Sequence, residues 1–352
     1  MRTRWMFWPT GEIPDPPAQT LYAATSRTEY NGTVANFRKF NTADGSEVVS
    51  GGWPLDLDTS WSSNDGLYVA VDGNGDVILT VQGWVQNIRK YDSDGNLIWS
   101  AVSGPGMIPN KVVVDDDNAV YVRLTSTTGH RNVRKIDING NNVWTLGLGA
   151  GILDTFTDIA VHGNFVYCTG YGYGVSGSQV IQTHVAVVNK TTGNLQWSIH
   201  LPAQLNLPLT GIALDSAGNM CVVGERVYTT PRISTRKLSP APAGSQLWWA
   251  DDNKDMHKVA INAMGEIYVG SSTFGGLRRY SDAGSFLSES SDTHKRVYSI
   301  AVDEVGTVYT GGLSNVHSGF TPIRKYTREL TPLSFSGLVG SSVVVNGIAL
   351  AD

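Results

Sequence analysis

The sequence of 352 residues is poor in the side chains from which catalytic and metal sites are most often built. It contains two cysteines and seven histidines, and no two histidines stand at the spacing of metal ligands. The motifs G-x-S-x-G, H-E-x-x-H and C-x-x-C are missing, as is the Walker loop that binds phosphates. We therefore predict no catalytic residue, no metal site and no cofactor.

Charge and long apolar runs are also scarce, and both absences bear on partners. Charged residues make up 16% of the chain, the formal net charge is −5, and the lysines and arginines are spread along the sequence. We expect no nucleic-acid partner, because nucleic acids require a clustered basic surface. The apolar runs are too short to cross a bilayer, so we expect no membrane insertion. Pro9 and Glu12 interrupt the N-terminal apolar stretch, so we expect no signal peptide there.

Cys168 and Cys221 are too few for a disulfide framework. They fall in equivalent strands of neighbouring repeats but one position apart, which gives their side chains opposite parity. We expect two free, buried thiols, because buried cysteine behaves as a small hydrophobic residue. A bond between them across two packed sheets is the alternative.

Helical periodicity is absent too, and a regular β pattern stands in its place. Short alternating runs of Val, Ile, Tyr and Thr end at Gly, Asn or Asp, and the chain contains 39 glycines. This pattern predicts an all-β protein.

One phrase recurs along the chain: a basic pair in a strand, a turn with glycine, and then a tryptophan. The pairs are Arg38-Lys39, Arg89-Lys90, Arg134-Lys135, Arg236-Lys237, Arg278-Arg279 and Arg324-Lys325, with a degenerate copy at Val187-Val188. The tryptophans are Trp53, Trp99, Trp144, Trp197 and Trp248. A second phrase, strand, tight turn and strand, precedes the first, as in "VAVDGNGDVILT" from Val69. Four strands per repeat, at spacings of 41 to 53 residues, are typical of propeller blades.

The two ends of the chain complement each other. The chain finishes with "NGIALAD", which matches "TGIALDS" from Thr210, whereas the first repeat lacks this strand. We predict that residues 343–352 form the innermost strand of a blade whose other strands come from residues 20–55. The predicted fold is one all-β domain over residues 20–352, a seven-bladed β-propeller with four antiparallel strands per blade. Closing the ring with the C-terminal strand removes open sheet edges.

Two stretches resemble known propeller repeats. "VNKTTGNLQW" (Val188 to Trp197) resembles the repeats of bacterial quinoprotein-type (PQQ-like) propellers, and "IALDSAGNMCVVG" from Ile212 resembles the bacterial SBBP-like repeat. The resemblance extends over residues 20–352 but rests on scaffold positions, so it implies a fold and no activity. It also implies that the tryptophan and the turn glycine pack blade against blade.

A polar residue follows most of the innermost strands, and it has two possible interpretations. The positions are Asp72, Asp115, His162, Asp215, Asn262, Asp303 and, without a polar group, Ala351. A ring of cation ligands would be too wide for one ion, whose oxygen ligands lie at about 2.3–2.6 Å. We therefore predict that these residues close hairpins by accepting backbone N–H bonds. The stretch from Asp72 imitates a calcium loop, but Val77 and Gly83 stand where that loop needs Gly and Glu.

The repeated Arg-Lys pairs could form a polyanion site or serve as structural residues. Adjacent side chains in a strand point to opposite faces of the sheet. Their stems can lie along apolar surface while the charged heads reach the rim or a carboxylate. We predict the structural role.

Two loops break the repeat, and they carry the candidate binding residues. Residues 170–184 contain Tyr171 and Tyr173, and residues 226–235 contain Arg226, Tyr228 and Arg232. Both loops join the second and third strands of their blades, so we expect them on the same face of the propeller. Loops carry function more often than strands do.

Residues 1–19 form a separate N-terminal arm, with Trp5, Phe7 and Trp8 ahead of a proline-rich stretch. Exposed aromatic residues at this density are usually covered. We predict that the arm docks onto other protein subunits; packing back onto its own propeller is the alternative.

The sequence as a whole predicts a non-enzymatic binding or structural propeller, a component of a larger assembly such as a phage virion, tail- or capsid-associated. Its loops would face a protein partner, a glycan or a cell-surface receptor, and its location would be a virion or the cell surface. Two alternatives stay open. One is a carbohydrate-binding surface or envelope propeller, and the other is an enzyme of lyase or hydrolase type with its site at the channel mouth.

Overall fold

The structure is a computed structural model. It describes residues 19–29, 32–61, 67–81, 87–126, 131–148, 155–173, 181–201, 209–224, 233–240, 243–251, 255–271, 276–290, 296–312, 322–335 and 343–351. Within these ranges the chain forms 28 β-strands in seven four-stranded antiparallel sheets. No helix in the described part of the chain is long and apolar enough to span a membrane.

The strands follow one another in the order expected of blades. They are β1 (Thr20–Glu29), β2 (Gly32–Asn41), β3 (Leu55–Trp61), β4 (Tyr68–Val71), β5 (Val77–Thr80), β6 (Ile88–Tyr91), β7 (Leu97–Ala101), β8 (Met107–Val114), β9 (Val120–Ser126), β10 (Arg131–Ile136), β11 (Asn142–Gly147), β12 (Thr155–His162), β13 (Phe165–Tyr173), β14 (Ile181–Asn189), β15 (Leu195–His200), β16 (Leu209–Leu214), β17 (Met220–Gly224), β18 (Ile233–Leu238), β19 (Gln246–Asp251), β20 (Met256–Ile261), β21 (Ile267–Ser271), β22 (Leu277–Tyr280), β23 (Phe286–Glu289), β24 (Val297–Val302), β25 (Val308–Gly312), β26 (Ile323–Tyr326), β27 (Pro332–Leu333) and β28 (Val343–Ala351).

Each sheet is one propeller blade with its first strand innermost. Blades 2 to 7 are β4–β7, β8–β11, β12–β15, β16–β19, β20–β23 and β24–β27, and blade 1 has the order β28-β1-β2-β3. The innermost strands of neighbouring blades contact each other all the way around the ring. The predicted seven-bladed, four-stranded propeller is therefore confirmed.

The C-terminal strand closes the ring in blade 1. β28 pairs with β1 in an antiparallel register that places Leu350 opposite Leu21 and Ile348 opposite Ala23. The outer strand of this blade lies further along the chain than the predicted end at residue 55, because β3 begins at Leu55 and runs to Trp61. Pro54 precedes it, and a residue without an N–H group cannot donate to the ladder, so the strand starts after the proline.

The core lies between the blades. Seven clusters of buried apolar side chains each join two neighbouring blades. One cluster packs Tyr22 and Phe37 of blade 1 against Val69 and Leu79 of blade 2. Four of the second strands, β5, β17, β21 and β25, are buried at every position, as in the β17 sequence MCVVG. A strand covered on both faces carries a continuous apolar run, which is why the alternation fails there.

The repeated tryptophans of blades 2, 3 and 5 pack against the turn glycine of the next blade. Trp99 of blade 2 donates its Nε1–H to the carbonyl oxygen of Ile138 in blade 3 at 2.9 Å. Its ring covers Gly140, whose φ is +88° and where a Cβ atom would lie 2.9 Å from the ring. The same joint links Trp144 with Gly193 and Trp248 with Gly284. The packing role implied by the resemblance is therefore confirmed at these positions.

One joint departs from this pattern. Trp197 of blade 4 packs edge-on against Phe165 of its own blade, with ring centroids 5.0 Å apart. The turn glycine of the next blade, Gly244, instead meets Ile199. A β-branched aliphatic side chain has replaced the indole at this boundary.

Both cysteines are free and buried, as predicted. Cys168 belongs to the apolar layer between blades 3 and 4, and Cys221 belongs to the layer between blades 5 and 6. Burial raises the pKa of the Cys168 thiol well above its usual range. An un-ionised thiol of this kind is a packing residue.

Candidate functional site

The aspartates after the innermost strands close hairpins, as predicted. The Oδ1 atom of Asp72 accepts hydrogen bonds from the backbone N–H groups of Asn74 and Asp76 at 2.9 and 3.0 Å. Asp115 and Asp215 accept the equivalent pairs of bonds in blades 3 and 5. These turns form one rim of the propeller, which we call the turn rim.

Two lysines of the repeated basic pairs, Lys90 and Lys237, meet these aspartates. Lys90 is 2% exposed, and its Nζ lies 2.7 Å from Asp72 Oδ2 and 2.9 Å from Asp76 Oδ2. Lys237 contacts Asp215 at 2.8 Å and also pairs with Asp282. Burial lowers the pKa of Lys90, but hydrogen bonds to its two carboxylates outweigh burial and raise the pKa overall. The structural role predicted for the lysines is confirmed at both positions.

Blade 4 has no basic pair. A lysine from the turn after its third strand, Lys190, takes the place of the paired lysine. Lys190 lies 3.2 Å from Asp115 Oδ2 and 3.0 Å from Asp117 Oδ2, both in blade 3. Each of the three turn-rim lysines Lys90, Lys190 and Lys237 therefore lies against two carboxylates.

In blade 6 the turn residue is an asparagine and the charged carboxylate stands four positions later, which the repeat pattern did not predict. Asn262 holds the turn, and Glu266 carries the charge. Glu266 Oε1 accepts bonds from Nη2 of Arg279 and Nη2 of Arg328 of blade 7, both at 2.6 Å. Burial raises the pKa of Glu266, but these bonds hold it at about 2. The signal in the sequence is Asn262 replacing Asp, with Glu four positions later.

The predicted binding residues lie mostly outside the part of the chain that the structure describes. The sequence predicts Tyr171 in a loop, but the structure places it half-buried in strand β13, opposite Thr155 and Thr183. The side chain of Tyr173 falls outside the described residues. So do the loop residues Arg226, Tyr228 and Arg232 and the arm residues Trp5, Phe7 and Trp8. Their binding roles stay predictions.

The outermost strands expose apolar side chains around the circumference. They are Leu97, Ile98, Val143, Leu247, Trp249, Phe286, Leu287 and Leu333, each 41–57% exposed. The largest are in neighbouring blades 5 and 6. We call Leu247, Trp248, Trp249, Phe286 and Leu287 the blade 5–6 edge.

The blade 5–6 edge is connected to the core by a row of aromatic rings. The rings of Trp248 and Tyr280 lie 6.0 Å apart between centroids, and Tyr280 lies 6.0 Å from Phe286. Tyr280 is 3% exposed, whereas Phe286 is 57% exposed. The exposed ring of Phe286 therefore packs against the buried ring of Tyr280.

A polar cavity occupies the central channel, between the innermost strands. Six of these strands carry a β-bulge at the same place, with Asn110, Thr157, Thr210, His257, Tyr298 and Asn346 as the extra residues. The residues after the bulges are Lys111, Asp158, Gly211, Lys258, Ser299 and Gly347. The cavity holds about 460 Å³ of empty space, part of it open to solvent. Bulges re-aim side chains and are frequent beside functional sites.

Three charged residues from three blades meet in this cavity. Lys111 Nζ lies 3.3 Å from Asp158 Oδ1, and Lys258 Nζ lies 3.9 Å from Asp158 Oδ2. Burial raises the pKa of Asp158, but the two lysine charges outweigh it and hold the pKa below its usual range. Burial lowers the pKa of the adjacent His257 to about 3, and Lys258 adds to the effect. His257 is therefore uncharged at neutral pH.

Among the described residues, no three His, Cys, Asp or Glu side chains converge as metal ligands.

Comparison with known proteins supports the fold and the repeat type. Residues 85–234 match a PQQ-type repeat family described as outer membrane protein assembly factor BamB. This segment runs from the second half of blade 2 into blade 5, and its match confirms the predicted likeness to PQQ-like repeats. No curated protein matches the chain.

Two solved structures are similar over most of their length. A protein of unknown function from Bacteroides caccae has a TM-score of 0.55 and 12% identity, covering 95% of this chain and 98% of that chain. The computationally designed protein Ika8 has a TM-score of 0.56 and 12% identity, covering 91% of this chain and 89% of that chain. At this level of identity the likeness concerns the fold alone.

Proposed function

We propose that the chain is a non-enzymatic binding propeller that docks a protein subunit of a larger assembly on the blade 5–6 edge. The observation that carries the proposal is the exposure of Trp249 and Phe286, at 49% and 57%, on neighbouring outer strands. Large aromatic side chains supply much of the energy of protein interfaces when they are covered. A single exposed apolar residue needs no explanation, but several large ones on neighbouring outer strands do.

The strands that carry these residues are also open for pairing. β19 and β23 are the outermost strands of their sheets, so one backbone edge of each has no neighbour among the described strands. Natural edge strands are commonly protected by charged residues or proline. β23 reads Phe-Leu-Ser-Glu and places its two apolar residues first. An extended apolar segment of a partner subunit can add to such an edge as a further strand.

The rest of the described surface is consistent with a scaffold. The turn-rim carboxylates accept backbone hydrogen bonds and pair with lysines, which fixes the blades. The similar family is named as an assembly factor, which supports a role in protein assembly for this propeller. The arm residues Trp5, Phe7 and Trp8 would supply a second contact to the same assembly. Membership of a virion stays a prediction from the sequence.

Site-specific photo-crosslinking of the full chain tests the proposal. A photoreactive phenylalanine analogue replaces Trp249, Phe286 or, as a control, Val143 of blade 3, which is 48% exposed. The chain is then irradiated in the cells that normally produce it. We expect one adduct of the same mass from positions 249 and 286 and none from position 143. Adducts from all three positions, or from none, would contradict the proposal.

A matched pair of variants gives an independent check. With the analogue at position 287, Trp249→Glu is expected to abolish the adduct, because a charge at this position must be desolvated in the interface. Val143→Glu adds the same charge to another outer strand and should leave the adduct unchanged. An adduct that survives Trp249→Glu would count against docking at this edge.

A further inference from the structure

We propose that the N-terminal arm, residues 1–19, of a second copy of this chain docks on the blade 5–6 edge. This site is the one in the proposed function, on which the inference rests, and the second copy is the subunit that it binds. Each copy then offers one arm and one edge, so the contact is heterologous, because two different surfaces meet. A contact of this kind joins copies head to tail into a ring or a filament.

The edge lies beside the turn rim. Lys237, at the end of the third strand of blade 5, pairs with Asp215 of its own blade and with Asp282 of blade 6. Asp282 belongs to the turn that immediately precedes β23, and β23 begins with the exposed Phe286. Trp248 donates its Nε1–H to the carbonyl oxygen of Asp282 at 2.9 Å. The start of β23 is therefore fixed to blade 5 at the turn rim.

The arm is joined to the propeller at the same rim. Its last residue, Gln19, is 7% exposed, and the carbonyl oxygen of Gln19 accepts hydrogen bonds from the N–H and Oγ1–H groups of Thr42 at 3.2 and 2.8 Å. Thr20 follows and lies opposite Ala351, which occupies the position of the turn-rim aspartates in the other blades. The arm therefore starts from a fixed point on the rim where the edge also lies.

The sequence of the arm divides into a segment that suits strand pairing and a spacer. Residues 1–8, MRTRWMFW, contain three aromatic residues and no proline or glycine, a composition that favours an extended strand. Residues 9–18 contain four prolines, a composition that favours an extended, semi-rigid spacer.

The length of the spacer suits a contact with a second copy. Ten residues reach about 31 Å at about 3.1 Å per residue. The outer edge of blade 1 lies about 10 Å from β1, which is two strand spacings of about 4.8 Å. The spacer is therefore long enough to hold residues 1–8 beyond the blade from which it starts, where another copy can bind them.

The edge and residues 1–8 complement each other. Trp249 and Phe286 are 49% and 57% exposed in the single chain. An extended segment that adds to β19 or β23 makes main-chain hydrogen bonds, while its alternate side chains contact the edge. In such an added strand Trp5 and Phe7 would fall on one face and Trp8 on the other. One contact would thus cover aromatic side chains of both copies, which supplies much of the energy of an interface.

Complementation between two full-length variants, measured by sedimentation velocity at pH 7, tests the proposal. The arm variant combines Trp5→Ser, Phe7→Ser and Trp8→Ser, and the edge variant is Trp249→Glu. We expect the wild type to form dimers or larger species and each variant alone to sediment as a monomer. The mixture of both variants should form a 1:1 dimer and nothing larger, because it holds one intact arm and one intact edge. A mixture that stays monomeric, or a wild type that is monomeric up to its solubility limit, would overturn the proposal.

The matched control for the edge variant is Val143→Glu. Val143 lies on the outer strand of blade 3 and is 48% exposed, so the substitution adds the same charge away from the edge. The control should associate like the wild type. Loss of association in Val143→Glu would show that any charge on an outer strand has this effect, and it would refute docking at the edge.

A second measurement does not depend on how well these variants fold. The purified full chain, with the photoreactive phenylalanine analogue in place of Phe286, is irradiated and the adduct is mapped by its peptides. We expect a dimer of the chain in which position 286 is joined to residues 1–8. A link between position 286 and the arm of the same chain, which leaves the mass unchanged, would overturn the inference.

The crosslinking in producing cells separates this inference from the proposed function. An adduct of twice the mass of the chain supports both. An adduct of positions 249 and 286 with a different protein would refute the second copy as the subunit and leave the proposed function standing. The absence of any adduct would refute both.

Discussion

At the turn rim Lys90, Lys190 and Lys237 each lie against two carboxylates, whereas in the channel one carboxylate, Asp158, lies between two lysines. Lys90 lies within 2.9 Å of both of its partners. Lys111 and Lys258 lie 3.3 and 3.9 Å from Asp158. The turn-rim carboxylates also accept hydrogen bonds from backbone N–H groups, so each short ion pair is part of a closed turn. The pairs of Lys190 with Asp115 and of Lys237 with Asp282 join neighbouring blades. The channel pairs are longer and join three blades around Asp158.

The largest expected effect on stability comes from breaking one of the short turn-rim ion pairs. Lys237→Met leaves Asp215 buried without its ammonium partner, and we expect a loss of about 3–5 kcal/mol in the free energy of unfolding. Urea unfolding at pH 7 measures it. Lys39→Met, at an exposed hydrogen bond, should change the stability by less than about 0.5 kcal/mol. A loss below about 1 kcal/mol for Lys237→Met would break the comparison, because the rim pair would then be no more important than a surface pair.

A smaller loss of stability is expected where two blades are joined by the contact of a tryptophan ring with a glycine instead of by an ion pair. At Gly140 a Cβ atom would lie 2.9 Å from the Trp99 ring, so Gly140→Ala should cost about 2–4 kcal/mol through strain at positive φ and overpacking. Gly75 has a similar φ of +81°, and a Cβ atom added there would have no neighbour within 4 Å. Gly75→Ala should therefore cost only the backbone strain, about 1–2 kcal/mol. The difference between the two variants in urea unfolding isolates the tryptophan contact. Equal losses for Gly140→Ala and Gly75→Ala would show that the Trp99 ring moves aside at little energetic cost.

The smallest of these effects depends on pH. Glu266→Gln weakens the bonds to Arg279 and Arg328, and we expect a loss of about 2 kcal/mol at pH 7. The pKa of Glu266 is lowered from 4.5 to about 2 in the folded chain, so its stabilising contribution is present above pH 4.5 and is lost as the pH falls towards 2. The gap between wild type and variant should therefore shrink over that range. A gap that stays constant down to pH 3 would show that the charge of Glu266 is not what holds blades 6 and 7 together.

The sequence predicted the features that repeat and missed those that depend on several blades at once. The pairing of Ile348 with Ala23 follows from matching ends, and the joint of Trp99 with Gly140 follows from a phrase present in most blades. Such features are visible because each copy supports the same interpretation. The exception at Trp197 was not predictable, since its phrase is intact and only the neighbouring turn differs.

The channel site could not be predicted in the same way. Lys111, Asp158 and Lys258 come from blades 3, 4 and 6, and each is a single departure from the repeat. Only the closed ring and the bulges beside them bring the three side chains together. A register count would have found their common position, four residues before the turn Asp or its equivalent. It would not have found that Gly211 lets the innermost strands of blades 5 and 6 approach closely, since a Cβ atom there would lie 3.1 Å from the carbonyl oxygen of His257.

The pairing of the C-terminal strand with β1 in blade 1 also sets the order in which the sheet can form during synthesis. β1, β2 and β3 emerge from the ribosome first, yet the inner edge of β1 has its partner only when β28 has been made. Until then Leu21 and Ala23, which are buried in the finished ring, lie beside an unpaired backbone. The nascent chain thus carries an unfinished sheet through the translation of six blades.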